Sequence, residues 1–176
     1  MQEIYDFLRG QGMTHEGALG VMGNLQAESG CESCRLQGDF ELSRTRSKEY
    51  AEAVDSGQIS RHVFSRDGMG WGIYQLTYWS RKEGFYDYCK EKGKSIADLT
   101  AQLAYLCKEM RTDYFSLFSF LGTTHEMFTA CKRVMQWRWP LKRNYNRRKK
   151  PFLLFGLRAG LKKECLGLMW KYYRPF

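Results

Sequence analysis

Two segments of the chain carry residue types that suit the breaking of a sugar–sugar bond. Gly23-Asn24-Leu25-Gln26-Ala27-Glu28-Ser29-Gly30 sets one carboxylate directly before a Ser-Gly stop. Gly68-Met69-Gly70-Trp71-Gly72-Ile73-Tyr74-Gln75-Leu76-Thr77 is a glycine-punctuated aromatic loop with an amide and a hydroxyl near its end. Cleavage of a glycosidic bond needs a carboxylic acid that keeps its proton until it meets the leaving oxygen, set against a groove that holds sugar rings. The first segment offers the acid and the second the groove.

The acid must be positioned by a helix. From Thr14, a good N-cap type, Ala18, Val21, Met22 and Leu25 recur at three- and four-residue spacing and define an apolar stripe. Glu28 falls on that stripe, three residues after Leu25, and Gly30 is a natural C-terminal stop. Apolar neighbours and the negative end of the helix dipole both disfavour a charged carboxylate at such a place, which is what a general acid requires. The plain alternative is a solvated glutamate at a helix end.

In the second segment glycines at 68, 70, 72 and 84 bracket Trp71, Tyr74, Tyr78 and Trp79. Flat aromatic rings pack on the apolar faces of sugars, and glycine lets backbone come close to a ligand. Gln75 and Thr77 add hydrogen-bonding groups. The expected sugar contacts are therefore Gln26, Trp71, Tyr74, Gln75, Thr77 and Tyr78. A dinucleotide-binding loop does not fit, since no apolar strand precedes the glycines and no βαβ unit surrounds them. A β-hairpin with a core tryptophan is the structural alternative, compatible with the catalytic reading.

These residues occur in an order that resembles a known family. The run from Ile4 to about Met135 is similar to the phage tail lysozyme domain, a branch of the lysozyme-like peptidoglycan hydrolases. The resemblance is carried by Gly20 through Gly30, Leu36-Gln37-Gly38, Val54-Asp55-Ser56-Gly57, Phe64, Asp67, Gly70 through Lys82, and Lys94 through Leu99. It implies a mainly α, lysozyme-like fold with a small β element (α+β). It also implies cleavage of the β-1,4 MurNAc-GlcNAc bond of bacterial cell wall with Glu28 as the acid. Departures from the family pattern are Trp71 for a tyrosine, Tyr74 for an alanine, Leu76 for a tryptophan, Cys31 for an apolar residue, and Arg138 for an acid.

A second carboxylate is harder to place. An inverting enzyme needs a base about 6.5–9.5 Å from the acid, and a retaining one a nucleophile about 5–5.5 Å away. Asp67, which enters the glycine loop, is the first choice; Asp39, Glu41 and Asp55 follow. Aspartate is also a common turn former, which is the competing reading for each Asp. A lytic transglycosylase would need no second carboxylate.

The net charge of +9 is unevenly spread over the 176 residues. Residues 1–136 hold 16 basic and 18 acidic side chains, whereas 137–176 hold 12 basic and one acidic. The expected division is a lysozyme-like catalytic domain over 1–136 and a basic, partly amphipathic extension over 137–176. Within residues 142–174, Leu154, Leu157, Leu161, Leu168 and Tyr172 oppose Arg158, Lys162 and Lys163. Such a stretch can bind an anionic wall polymer or a membrane surface but is too interrupted to span a bilayer. No nucleic-acid module stands behind the basic run, so no nucleic-acid partner is expected.

The other helices look structural: Ser95 to Asp98 forms a capping box before Leu99, Leu103, Leu106 and Met110, and Thr123 to Glu126 another before Met127, Cys131 and Val134. Cys89, Cys107 and Cys131 fall on apolar stripes. Cys31 and Cys34 form a lone C-x-x-C, weak as a zinc site and compatible with a surface disulfide outside the cell; no metal or cofactor is expected. The first residues lack a signal-peptide pattern, which fits delivery in a phage virion tail, among tail proteins, or release to the cell wall. The competing functions are a non-catalytic wall- or carbohydrate-binding module and a membrane-active protein acting through the basic tail.

Overall fold

Eight helices form in the described part of the chain: α1 (Gln2–Gly10), α2 (His15–Ser29), α3 (Thr45–Asp55), α4 (Arg61–Arg66), α5 (Trp79–Glu91), α6 (Leu99–Asp113), α7 (Phe115–Leu121) and α8 (Met127–Lys142). The structure is a computed structural model that describes residues 1–142, the last six as backbone. The basic extension from 143 onward lies outside the described residues. The helix α8 runs through residue 136 without a break. Among the described residues no strand occurs. Where a small β element was expected, two isolated antiparallel bridges pair Leu36 with Trp71 and Trp71 with Leu76. The turn over residues 72–75 leaves too few extended residues for a ladder.

The described chain divides into two units, one made of Met1–Ala27 and the segment from Cys107, the other of Glu28–Leu106. In the first, Thr14 caps α2 as its sequence position demands: its Oγ1 accepts from the Gly17 amide at 3.0 Å and donates to the Thr124 carbonyl at 2.6 Å. Ala18, Leu19, Val21, Met22 and Leu25 of α2 are buried, with Ile4 and Leu8 of α1 and Ala130, Cys131 and Val134 of α8. Gly20 allows α2 and α8 to touch, since a Cβ there would sit 2.5 Å from the Ala130 methyl. Buried Asn24 sits beside this contact and donates to the Gly20 and Cys131 carbonyls.

The second unit packs α3, α4, α5 and the start of α6 around Trp71, Phe64, Ile73, Leu76, Phe85, Ile96 and Leu103, all buried. The N-cap of α6 is Asp98, whose Oδ1 accepts from the Ala101 amide at 2.7 Å. The box expected to open at Ser95 is thus displaced by one turn, and Ser95 Oγ instead accepts from the Ala97 amide. Before α8, likewise, Thr124 Oγ1 accepts from the Glu126 amide to make a local turn. Cys89, Cys107 and Cys131 are buried, and Cys31 and Cys34 are partly exposed.

Candidate active site

Glu28 sits in the last turn of α2, half-buried. Two successive residues with positive φ, Gly30 at 69° and Cys31 at 64°, end the helix immediately after Ser29. The glycine stop read from the sequence is the one the backbone uses. Ser29 is buried, and its hydroxyl donates to the Ile73 carbonyl at 2.7 Å. The residue after Glu28 is thereby tied to the middle of the glycine–aromatic loop.

That loop is held at every residue from 69 to 73. The Met69 amide donates to Asp67 Oδ1 at 2.8 Å, and the Met69 carbonyl accepts from Lys82 Nζ at 3.0 Å. Gly70 exchanges two bonds with Gln37, one to the side-chain oxygen and one from the Gln37 amide, both 2.8 Å. Trp71 pairs with Leu76 through both backbone groups, and the Gly72 amide donates to the Arg35 carbonyl. The Ile73 amide donates to Gln102 Oε1 at 2.7 Å. A loop fixed this densely is preorganised.

Trp71 and Tyr74 do not line a groove. They are 1% and 3% exposed, and the Trp71 indole N–H donates to the Ile96 carbonyl at 2.9 Å. Their rings serve the core, Trp71 lying 5.3 Å from Tyr50 between ring centroids, so the expectation of two sugar-stacking platforms is corrected. Gln75 also turns inward. Its backbone takes φ 50°, and its side-chain amide donates to the Arg35 and Gly72 carbonyls. The glycine-punctuated pattern carries no information on which way each side chain points. Thr77 and Tyr78 do face outward, Tyr78 at 46% exposure. Gln26 is half-buried on α2, two residues before Glu28. Trp79 adds an exposed ring beside Tyr78, with the Arg66 guanidinium 5.1 Å from its centroid.

Asp67 is engaged inside the protein. Lys82 Nζ donates to its Oδ1 at 2.6 Å, the Tyr50 hydroxyl donates to Oδ2, and the Met69 amide takes a third bond. Lys82 is fully buried and lies 4.4 Å from the centroid of Phe64. Burial pushes the Lys82 ammonium below the ordinary lysine range, and the Asp67 carboxylate opposes that shift. Burial and Asp67 together push the Tyr50 phenol up. The two oxygens of Asp67 thus accept from three internal donors. These bonds tie Asp67 to the loop and to α5.

The remaining carboxylates divide similarly. Buried Asp39 accepts from the Ser47 amide at 3.1 Å and from the Ser47 hydroxyl, which holds it below the usual carboxylate range. Asp55 accepts from the Ile96 amide at 3.0 Å and from the Ser95 hydroxyl. Glu41 is exposed, with the Ser43 hydroxyl at 3.3 Å. Two residues absent from the expected site carry the loop: Lys82 and Gln102. Each sits on an apolar helix stripe, Lys82 with Phe85 and Cys89, Gln102 with Leu99, Leu103 and Leu106. That displaced polarity was the available signal. No group of three or more His, Cys, Asp and Glu side chains among the described residues is arranged to hold a metal ion.

The family model described as phage tail lysozyme matches residues 1–150, and the chain belongs to that family. Membership gives it a lysozyme-type, phage-associated role on bacterial peptidoglycan. No curated protein and no solved structure matches the chain. No helix among the described residues is long and apolar enough to cross a membrane.

Proposed function

We propose that the protein is a muramidase of the phage tail or lysin type that cleaves the β-1,4 bond between N-acetylmuramic acid and N-acetylglucosamine, with Glu28 as general acid. Glu28 gives its proton to the bridging oxygen, the C1–O bond breaks, and positive charge spreads over C1 and the ring oxygen. In hydrolysis a water then bonds to C1 and releases a proton to the medium or to a base. The observation that carries this reading is the 2.7 Å bond from Ser29 to the Ile73 carbonyl, which fixes the helix end bearing Glu28 against the loop. Thr77 and Tyr78, exposed at the end of that loop, supply a hydroxyl and a ring face for sugar. Gln26 is a further polar group on the acid's own helix.

Glu28→Gln is the test. Clearing of purified cell walls is expected to fall by at least about a hundredfold, within the range for loss of a general acid, while wall binding persists. Undiminished clearing removes Glu28 from the mechanism. A binding module would show wall binding and no clearing even in the natural protein.

The engagement of Asp67, Asp39 and Asp55 favours a second reading, a lytic transglycosylase in which the sugar's own hydroxyl bonds to C1 and no protein nucleophile is needed. Glu41 is the exposed carboxylate that would serve hydrolysis instead. The products separate the two: reducing ends for hydrolysis, 1,6-anhydro ends for transglycosylation. The basic extension over 142–174 is proposed to hold anionic wall polymer or a membrane surface, and removal of 137–176 should then weaken wall retention or abolish liposome leakage.

A further inference from the structure

Gln102 is 1% exposed and uses every polar atom of its side chain. Oε1 accepts from the Ile73 amide at 2.7 Å. Nε2 donates to the Ser33 carbonyl at 2.9 Å and to the Ile96 carbonyl at 2.7 Å. The Ile96 carbonyl also accepts from the Trp71 indole. One amide thus joins the middle of the glycine loop, the turn that follows the helix of Glu28, and the backbone that anchors the loop's tryptophan. The Ile73 peptide is gripped on both sides, by Gln102 at its N–H and by Ser29 at its carbonyl. Gly72 completes the fit: at φ 75°, a Cβ there would lie 2.4 Å from Gln102 Oε1.

A lone hydrophobic residue at 102 would bury as much apolar surface without any of these bonds. Burying an amide on an apolar stripe is costly unless each donor and acceptor is matched, and here each is. Matched polar groups of this kind specify one arrangement of the segments they join. We infer that Gln102 is a positioning residue for the glycosidase reaction, setting the glycine loop and the turn after Glu28 in register so that acid and substrate meet at the required distance. This rests on the reading of Glu28 as general acid.

Gln102→Met keeps the length and loses all three bonds. Its partner control is Leu103→Ala, a fully buried residue of the same helix that has no polar link to the loop. Both are compared by kcat, KM and Tm, well below the melting temperature of either. Gln102→Met is expected to lower kcat about 10- to 100-fold with KM within about twofold, the size of effect that misplacement by about 1 Å produces. Leu103→Ala should lower Tm at least as far and leave kcat within about twofold. If the two variants lose kcat in proportion to Tm, the positioning role is overturned.

A measurement on the natural protein stands apart from activity and from folding of variants. The Ile73 amide proton and both Gln102 side-chain amide protons should exchange with solvent far more slowly than in an unfolded peptide. Exchange of the Gln102 protons at the rate of free glutamine overturns the inference. If Glu28→Gln retains full clearing, the glycosidase reading fails by itself, while the exchange result still reports whether Gln102 holds the loop.

Discussion

The loop from Asp67 to Leu76 and the three residues that follow it each carry two aromatic side chains, yet they do opposite work. Within the loop Trp71 and Tyr74 are buried, Gln75 binds backbone, and Asp67 is tied to Lys82 and Tyr50. Beyond it Thr77, Tyr78 and Trp79 are exposed. A rigid interior needs its hydrogen bonds matched and its rings packed, whereas a sugar needs rings it can reach. The loop supplies the rigidity and the edge supplies the reachable surface.

Truncation should separate the two most sharply. Trp71→Ala is expected to cost about 3–5 kcal/mol in urea unfolding, the range for removal of a buried aromatic ring, and to abolish clearing with it. Trp79→Ala should stay within about 1 kcal/mol of the natural protein in the same assay. Equal destabilisation by both would erase the distinction between interior and edge.

The ion pair comes next in size. Lys82→Met leaves Asp67 a poorly solvated charge and is expected to destabilise by about 3 kcal/mol. Adding Asp67→Asn should recover part of that loss, because the stranded charge goes with it. A double variant less stable than Lys82→Met would mean that Asp67 contributes to the loop independently of its lysine.

At the edge the effect should be on binding. Tyr78→Ala and Trp79→Ala are each expected to weaken wall binding about fivefold, roughly 1 kcal/mol for a lost ring contact, with Tm nearly unchanged. Unaltered binding in both would leave the edge without a role in substrate contact.

The smallest contrast is in acid. Asp39, held low by Ser47, backs the interior, since Ser47 Oγ also accepts from the Leu36 amide next to the loop. Asp87, held low by Arg61, is half-exposed on α5. A carboxylate whose folded-state value is depressed adds stability above its unfolded value near about 4, and that stability is lost as pH falls through the folded value. Ser47→Ala should therefore raise the pH midpoint of acid unfolding, and by more than Arg61→Ala does.

Much of the acid's setting was legible in sequence. Thr14 as cap, the buried stripe to Leu25 and Gly30 as stop follow from helical spacing, and the structure uses each of them. The loop was legible as an element but not in its facing, because turns with positive φ at Gly72 and Gln75 reverse side-chain direction in ways no fixed period describes. The bonding of Asp67 was hidden for a related reason: its partner Lys82 stands fifteen residues away on another helix. Lys82 and Gln102 were findable by the argument applied to Glu28, a polar residue on an apolar stripe.

The central claim is that Glu28 protonates the glycosidic oxygen of the wall's glycan strand. Mass analysis of the soluble fragments released from purified walls tests it most directly. The natural protein should release muropeptides ending at N-acetylmuramic acid, reducing or 1,6-anhydro, and Glu28→Gln almost none. Fragments cut in the peptide stems, glycan ends at N-acetylglucosamine, or equal release by the variant would contradict it.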